Sequence, residues 1–285
     1  MLEKAAPAVT NGLMHGKRGL IMGVANGHSI AWGIAQMLHK HGAELAFTYQ
    51  GEALGKRVKP LAAEVGSDLV VPCDVEDIAT VDAAFAALEA KWGTIDFVVH
   101  AIGFSDKNEL KGSYVENTTR ANFSRTMVIS CFSFTEIAQR AAKLMPNGGS
   151  LLTLTYGGSQ RVSPNYNVMG VAKAALEASV LYLAADLGPK GIRVNALSPG
   201  PVRTLAGAGI ADARFTFNHQ TRHAPLRRPV TLEEIGGSAL YFLSELSGGV
   251  TGEVQYVDSG YHILKMPRPE DMKAEAAELL ADKGS

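Results

Sequence analysis

The sequence predicts an α/β fold, a single domain over residues 1–285 with one doubly wound parallel sheet of about seven strands and helices on both faces. Three observations carry this expectation. Short apolar runs alternate with helix-length amphipathic stretches along the chain, 46% of the 285 residues are hydrophobic, and the first apolar run ends in a glycine-bearing turn that opens a helix. Charge narrows the function: 27 Lys plus Arg stand against 28 Asp plus Glu, net −1, so no basic surface for nucleic acid is expected. Only Cys73 and Cys131 occur, with no CxxC and no His/Cys cluster noted at ligand spacing. Neither disulfides nor a metal site is expected, and both thiols read as reduced in a cytoplasmic protein. The N-terminus lacks the apolar run of a signal peptide, and no segment reads as a membrane span. Residues 1–15 and 267–285 are expected at the periphery, the latter as a short surface helix.

Residues 19–25 read as the first strand, followed by Asn26-Gly27-His28-Ser29 and a helix over 30–41. Glycines 23, 27 and 33 bracket the turn without forming G-x-G-x-x-G. The missing Cβ atoms let backbone amides approach a phosphate at the helix N-terminus, or they merely make a tight turn. Ser29 either donates to a pyrophosphate or caps the helix. A second strand, 44–49, ends at Gln50, where an acidic residue usually grips the adenosine ribose of NAD. No arginine adjoins Gln50 to neutralise a 2′-phosphate, although Lys56 and Arg57 follow, so NADH is expected over NADPH. A third strand, 68–72, runs into Asp74, which meets an adenine amino group or caps a helix over 78–92.

The fourth strand, 95–104, includes Gly103, which lets a flat ring or an acyl group pass close to the backbone. A long helix over 115–144 follows, its small residues suited to close packing. Residues 149–156 form a buried strand ending in Tyr156, and beyond it Tyr166 and Lys173 stand seven apart, nearly two helical turns, on one helix face. A phenol that donates to an oxygen becoming negative, with a cation close by, is the equipment of a reductase. A Tyr and a Lys at this spacing also arise by chance. Their place decides, because the carboxyl end of a strand in an open parallel sheet is where ligands bind. Strands at 192–198 and 252–258 and a helix from the Thr231 cap to Leu243 complete the pattern. The Gly- and Ala-rich segment 204–224 is a candidate substrate lid.

With its elements placed, the chain resembles the short-chain dehydrogenase/reductase superfamily, whose fold is Rossmann-type, and within it the bacterial enoyl-acyl-carrier-protein reductases. The resemblance rests on Gly23 with Ser29-Ile30-Ala31-Trp32-Gly33 in place of the usual fingerprint, on Tyr156 ten residues before Tyr166, and on six residues between Tyr166 and Lys173. Ordinary members of the superfamily place that tyrosine and lysine four apart. The resemblance implies hydride transfer from NADH to the β-carbon of a trans-2-enoyl thioester in fatty-acid elongation. Tyr166 then meets the enolate oxygen, Lys173 holds the nicotinamide ribose, and Tyr156 shapes the acyl pocket. It also implies cofactor contacts at Gly23, Ser29, Ile30, Gln50, Asp74, Val75, Ile102, Lys173, Val202, Arg203, Thr204, Leu205 and Ala206, and a substrate contact at Ser105. Acyl carrier protein as partner and a homotetramer follow from the same resemblance. Two other readings stand beside it: a carbonyl reductase of the same superfamily, which the Tyr166 to Lys173 spacing argues against, and a non-catalytic dinucleotide-binding sensor.

Overall fold

The computed structural model describes residues 12–204 and 213–282. Seven strands form one parallel sheet: β1 (Arg18–Met22), β2 (Glu44–Tyr49), β3 (Val70–Pro72), β4 (Phe97–His100), β5 (Gly149–Leu154), β6 (Ile192–Pro199) and β7 (Val254–Val257), in the order 3-2-1-4-5-6-7. Its strands are apolar on both faces because crossover helices cover both. Along β1 the alternation is visible residue by residue: Leu20 and Met22 join a core with Phe134, Leu176 and Val180, whereas Ile21 joins one with Trp32, Phe47 and Phe242. With helices numbered in chain order, the first layer holds α3 (Ile78–Trp92), α6 (Ser133–Ala141) and α7 (Asn167–Leu187). The second holds α1 (Ile30–Lys40), α2 (Gly51–Glu64) and α9 (Leu232–Leu243).

Strand order reverses between β1 and β4, and such a reversal opens a crevice at the carboxyl ends of the strands. Gly23 sits there with φ +95°, and a Cβ on it would lie 2.0 Å from the carbonyl oxygen of Ala101. Only glycine lets the two strand ends close in this way.

Several elements differ from the sequence expectation for local reasons. The fourth strand stops at His100; the Ala101 amide still reaches Met22 O at 3.1 Å, after which the chain leaves the sheet. The long helix expected over 115–144 is divided into α4 (Tyr114–Asn117), α5 (Arg120–Met127), a π-helical turn (Val128–Phe132) and α6. Thr119 causes the first break: it is extended, with φ −92° and ψ 154°, and caps α5 by accepting from the Asn122 amide. The Glu109 carboxylate takes both its amide and its hydroxyl, so side-chain bonds outcompete helix continuation. Asp77, not Asp74, caps α3 by accepting from the Ala79 amide. The box at Thr231 and Glu234 caps α9 as expected.

The ends also depart from a purely peripheral role. Met14, inside the stretch expected at the periphery, is completely buried in the second layer, and its amide donates to His41 O at 2.9 Å. The C-terminal stretch forms the expected helix, α10 (Pro269–Asp282), yet Glu275 from it engages histidines of α8 (Ala213–His223). Contrary to the expectation that no segment is long and apolar enough for a membrane, 167–190 passes that test by length and composition, with mean hydropathy 1.5. In the fold it is a layer helix, with Val168, Ala172, Leu176 and Val180 buried on the sheet.

Gly23→Ala is therefore expected to lower unfolding free energy by more than about 2 kcal/mol, since it adds a positive-φ penalty to a steric overlap with Ala101 O. Urea denaturation checks this; a change within about 0.5 kcal/mol, typical of an unconstrained surface site, contradicts it.

Candidate active site

The crossover from β5 to α7 delivers all three expected catalytic side chains. Tyr166 lies one residue before α7 rather than within it, between two asparagines of positive φ, Asn165 at 59° and Asn167 at 36°. Such backbone persists only where its surroundings over-determine it. Here the loop before α4 does so: Gly112 N donates to Asn165 Oδ1 at 3.2 Å, and Asn167 Nδ2 donates to Glu109 O at 3.1 Å and Gly112 O at 3.3 Å. The Tyr156 and Tyr166 rings meet edge to face at 5.1 Å. Gly158 leaves room for this pair, because a Cβ there would stand 2.6 Å from the Tyr166 ring. Burial, reinforced by Tyr156 and Glu177, pushes the Tyr166 phenol well above its ordinary pKa and keeps it a proton donor at neutral pH.

Lys173 projects from the second turn of α7 to the end of β5, where Nζ donates to Leu154 O at 2.8 Å. It is only 8% exposed, and burial lowers its pKa to about 8 against the raising influence of Cys131 and Glu177. Gly103 passes close by, its notional Cβ 3.7 Å from Nζ. His100, at the end of β4, completes this floor. Its Nε2 lies 2.9 Å from Ser133 Oγ, and the Ser133 proton already goes to Ile129 O at 2.7 Å. On the other side Nδ1 lies 3.0 Å from Thr153 Oγ1, whose hydroxyl also reaches His100 O at 3.2 Å, so the ring is held between two hydroxyls. Complete burial, then the charge of Lys173, lowers the His100 pKa to about 3, so the ring is neutral. Widening of the helix at 128–132 supports this arrangement, since Ser130, within the turn, also brackets Phe104 by accepting from its amide and donating to its carbonyl, at 2.9 and 3.0 Å.

A cavity of about 770 Å³ opens at the carboxyl ends of β5 and β6. Of the expected residues, Ile30, Tyr156, Tyr166, Val202, Arg203 and Thr204 line it, together with Arg214, Thr216 and Phe217 of α8. Ser29 occupies the N-cap position of α1, yet its Oγ accepts from the amides of Ala25 and Asn26 at 2.9 and 3.0 Å, bracing the preceding turn rather than the helix. Gln50 and Asp74 meet at the ends of β2 and β3, Gln50 Nε2 donating to Asp74 Oδ2 at 2.9 Å. Val75 and Ile102 pack against the first layer. Ser105 is not among the residues that line this cavity; its Oγ accepts from Asn122 Nδ2 and Thr126 Oγ1 at 3.0 Å each. Leu205 and Ala206, with the rest of 205–212 in the expected lid, lie outside the described residues.

Three participants had no local signal in the sequence. His100 is one. Gln220 on α8 donates to Tyr156 Oη at 2.9 Å, and Glu177 ties down the turn after β5 by accepting from Thr155 Oγ1 at 2.6 Å and Ser159 Oγ at 2.5 Å. A fourth feature corrects the expectation of no cluster at ligand spacing: His219 and His223 stand four apart on α8.

A dinucleotide fits the groups present. Gly23 provides a turn without side chain at the sheet reversal, the cavity begins at the first residue of α1, and the Lys173 ammonium has three N–H donors but one protein acceptor among the described residues. This sheet order, with a buried lysine and a phenol at the end of β5, defines a dinucleotide-dependent reductase of the short-chain class. The family model described as enoyl-(acyl carrier protein) reductase matches residues 23–262, and the chain belongs to that family. It is 72% identical over 268 residues to enoyl-[acyl-carrier-protein] reductase [NADH] 2 of Rhizobium meliloti, covering 94% of this chain and 100% of the relative. Among solved structures, FabI from Candidatus Liberibacter asiaticus superposes with TM-score 0.89 at 61% identity, covering 91% of this chain and 100% of that one. The enoyl-(acyl-carrier-protein) reductase of Anaplasma phagocytophilum in complex with NAD gives TM-score 0.88 at 57% identity, over 91% and 98%.

The lowered pKa of Lys173 sets a pH expectation. Since kcat/KM reports ionisations of the free enzyme, it should fall on an alkaline limb with a midpoint near pH 8 as Lys173 loses its charge. Stability moves the other way: the folded pKa lies below the ordinary 10.5, so burying the charged lysine costs stability below pH 8, and this cost is relieved as pH rises from 8 toward 10.5. A profile flat to pH 10 contradicts the assignment.

Proposed function

We infer that this protein is an NADH-dependent enoyl-acyl-carrier-protein reductase that saturates the double bond of a trans-2-enoyl thioester in fatty-acid elongation. The observation that carries this reading is Tyr166, a phenol pinned in strained backbone on the wall of the cavity, one helix entry away from a buried lysine. When bound, NADH would supply the hydride that adds to the β-carbon, and the enolate would take the balancing proton at its α-carbon from solvent water. Tyr166 donates its proton as a hydrogen bond to the thioester oxygen while negative charge gathers there, so this bond strengthens toward the transition state. Lys173 offers the remaining N–H donors to the nicotinamide ribose hydroxyls, and its charge favours the developing enolate. Tyr156, held by Gln220, shapes the acyl side of the cavity.

Cofactor contacts are assigned to Gly23, Ser29, Ile30, Gln50, Asp74, Val75, Ile102, Val202, Arg203 and Thr204, and to Leu205 and Ala206 beyond the described stretch. Because Gln50 spends an amide proton on Asp74, its carbonyl is left to accept a ribose hydroxyl. The neighbouring carboxylate would repel a 2′-phosphate, which supports NADH over NADPH. Ser105 accepts twice and keeps its own proton for a substrate. Acyl carrier protein is the proposed donor of the thioester. Five arginines between Arg203 and Arg228 support an acidic partner. Pairing of Arg227 with Asp271 and of Arg228 with Glu234 concentrates that role on Arg203 and Arg214 at the cavity. A homotetramer is supported by apolar side chains exposed on two adjoining elements, Val128 and Phe132 on the 128–132 turn and Leu181 and Tyr182 on α7. A cytoplasmic location agrees with two free, buried cysteines.

NADH oxidation with a crotonyl thioester, with a 3-ketoacyl thioester and with neither separates the readings. Turnover is expected with the enoyl compound alone, and with kcat/KM for NADH above that for NADPH. Turnover of the ketone alone would indicate a carbonyl reductase, and cofactor binding without turnover a sensor.

A further inference from the structure

α8 and α10 meet through three side chains that the reductase chemistry does not use. His219 and His223 project from one face of α8, one turn apart, and Glu275 comes from α10. His219 Nδ1 lies 3.1 Å from both carboxylate oxygens, His223 Nε2 lies 3.1 Å from Oε2, and the imidazole centroids are 4.3 Å apart. All three donor atoms fall within 4.8 Å of one another. The His223 side chain is fully buried and that of Glu275 is 17% exposed. In a tetrahedral site with bonds of about 2.1 Å, neighbouring ligand atoms stand roughly 3.4 Å apart, so this trio is already near ligand spacing. We propose that His219, His223 and Glu275 form a binding site for a divalent transition-metal ion of the zinc class, which ties α8 to α10.

The donor set selects the class of ion. Two imidazoles and a carboxylate suit zinc and its neighbours, whereas calcium and magnesium require shells of oxygen. His223 Nε2 now donates to Glu275 Oε2 at 3.1 Å, and metal binding would move that ring proton to Nδ1, which has no partner among the described residues. Three protein ligands leave one position for water. The site adjoins the cavity through Gln220, which lies between the two histidines in sequence and donates to Tyr156 Oη at 2.9 Å. An ion that fixes α8 on α10 thereby also fixes the residue that orients Tyr156. This inference is independent of the reductase reading.

The test uses tag-free, full-length protein stripped with a chelator and dialysed, then titrated with cobalt(II) by visible absorption and with zinc(II) by calorimetry. One ion per chain is expected, with the intense ligand-field bands of four-coordinate cobalt. His219→Gln and Glu275→Gln should each weaken binding by more than about 100-fold, beyond the 10- to 100-fold typical of altering an outer contact to a ligand. Retained NADH binding shows that these variants are folded, and His39→Gln on the surface should bind as the parent does. The absence of stoichiometric binding overturns the proposal. So does binding that survives both substitutions, because it would belong to other histidines.

Discussion

A lysine ammonium buried against the last carbonyl of β5 is the constraint on which the rest of the site depends. Removing such an ion from water costs several kcal/mol, and a single hydrogen bond from Nζ to Leu154 O does not repay it. Neighbouring groups are arranged so that the charge survives. Gly103 thins the backbone beside Nζ, and His100 beneath it stays neutral, held between the hydroxyls of Ser133 and Thr153. Ser133 in turn follows directly on the π turn at 128–132. Lys173 has N–H donors without a protein acceptor among the described residues, which supports the proposal that ligand hydroxyl groups complete the site.

Tyr166 is set by a different device. Its separation from Lys173 works through a change of backbone rather than two regular helical turns: Tyr166 belongs to the entry loop, and Lys173 to the second turn of the helix. The two side chains can therefore serve different atoms. Positive φ at Asn165 and Asn167 aims the phenol, hydrogen bonds from the 109–112 loop hold that backbone, and Gly158 clears space for the ring. Strain of this kind, maintained by contacts far along the chain, is what pre-organises a donor for charge that appears only during reaction.

What was legible in the sequence follows the range of the interactions. β2, α3 and α9 could be bounded to within a residue, because periodicity, strand composition and, for α9, the Thr231 cap act within a few positions, although the cap of α3 proved to be Asp77 and not Asp74. The seven-stranded sheet followed from strand and helix alternation. By contrast, the break at Thr119 depends on Glu109, the pose of Tyr166 on Glu109 and Gly112, and the contact to Tyr156 on Gln220, 64 residues away. Burial of Met14 and the meeting of Glu275 with α8 likewise need the fold before they can be seen. The four-residue spacing of His219 and His223 was open to sequence reading, but without Glu275 beside it the pair carried little meaning.

The central claim is that Tyr166 acts on the transition state while Lys173 serves the cofactor, and single-turnover hydride transfer in Tyr166→Phe tests it most directly. That substitution keeps the ring against Gly158 and Tyr156 and removes only the donor. With a natural-type enoyl thioester in stopped flow, hydride transfer should slow by about 100-fold or more, about 3 kcal/mol by comparison with loss of one oxyanion donor, while NADH affinity stays within about twofold. Hydride transfer at the parent rate would contradict the account and move enolate stabilisation to Tyr156 or to an ordered water.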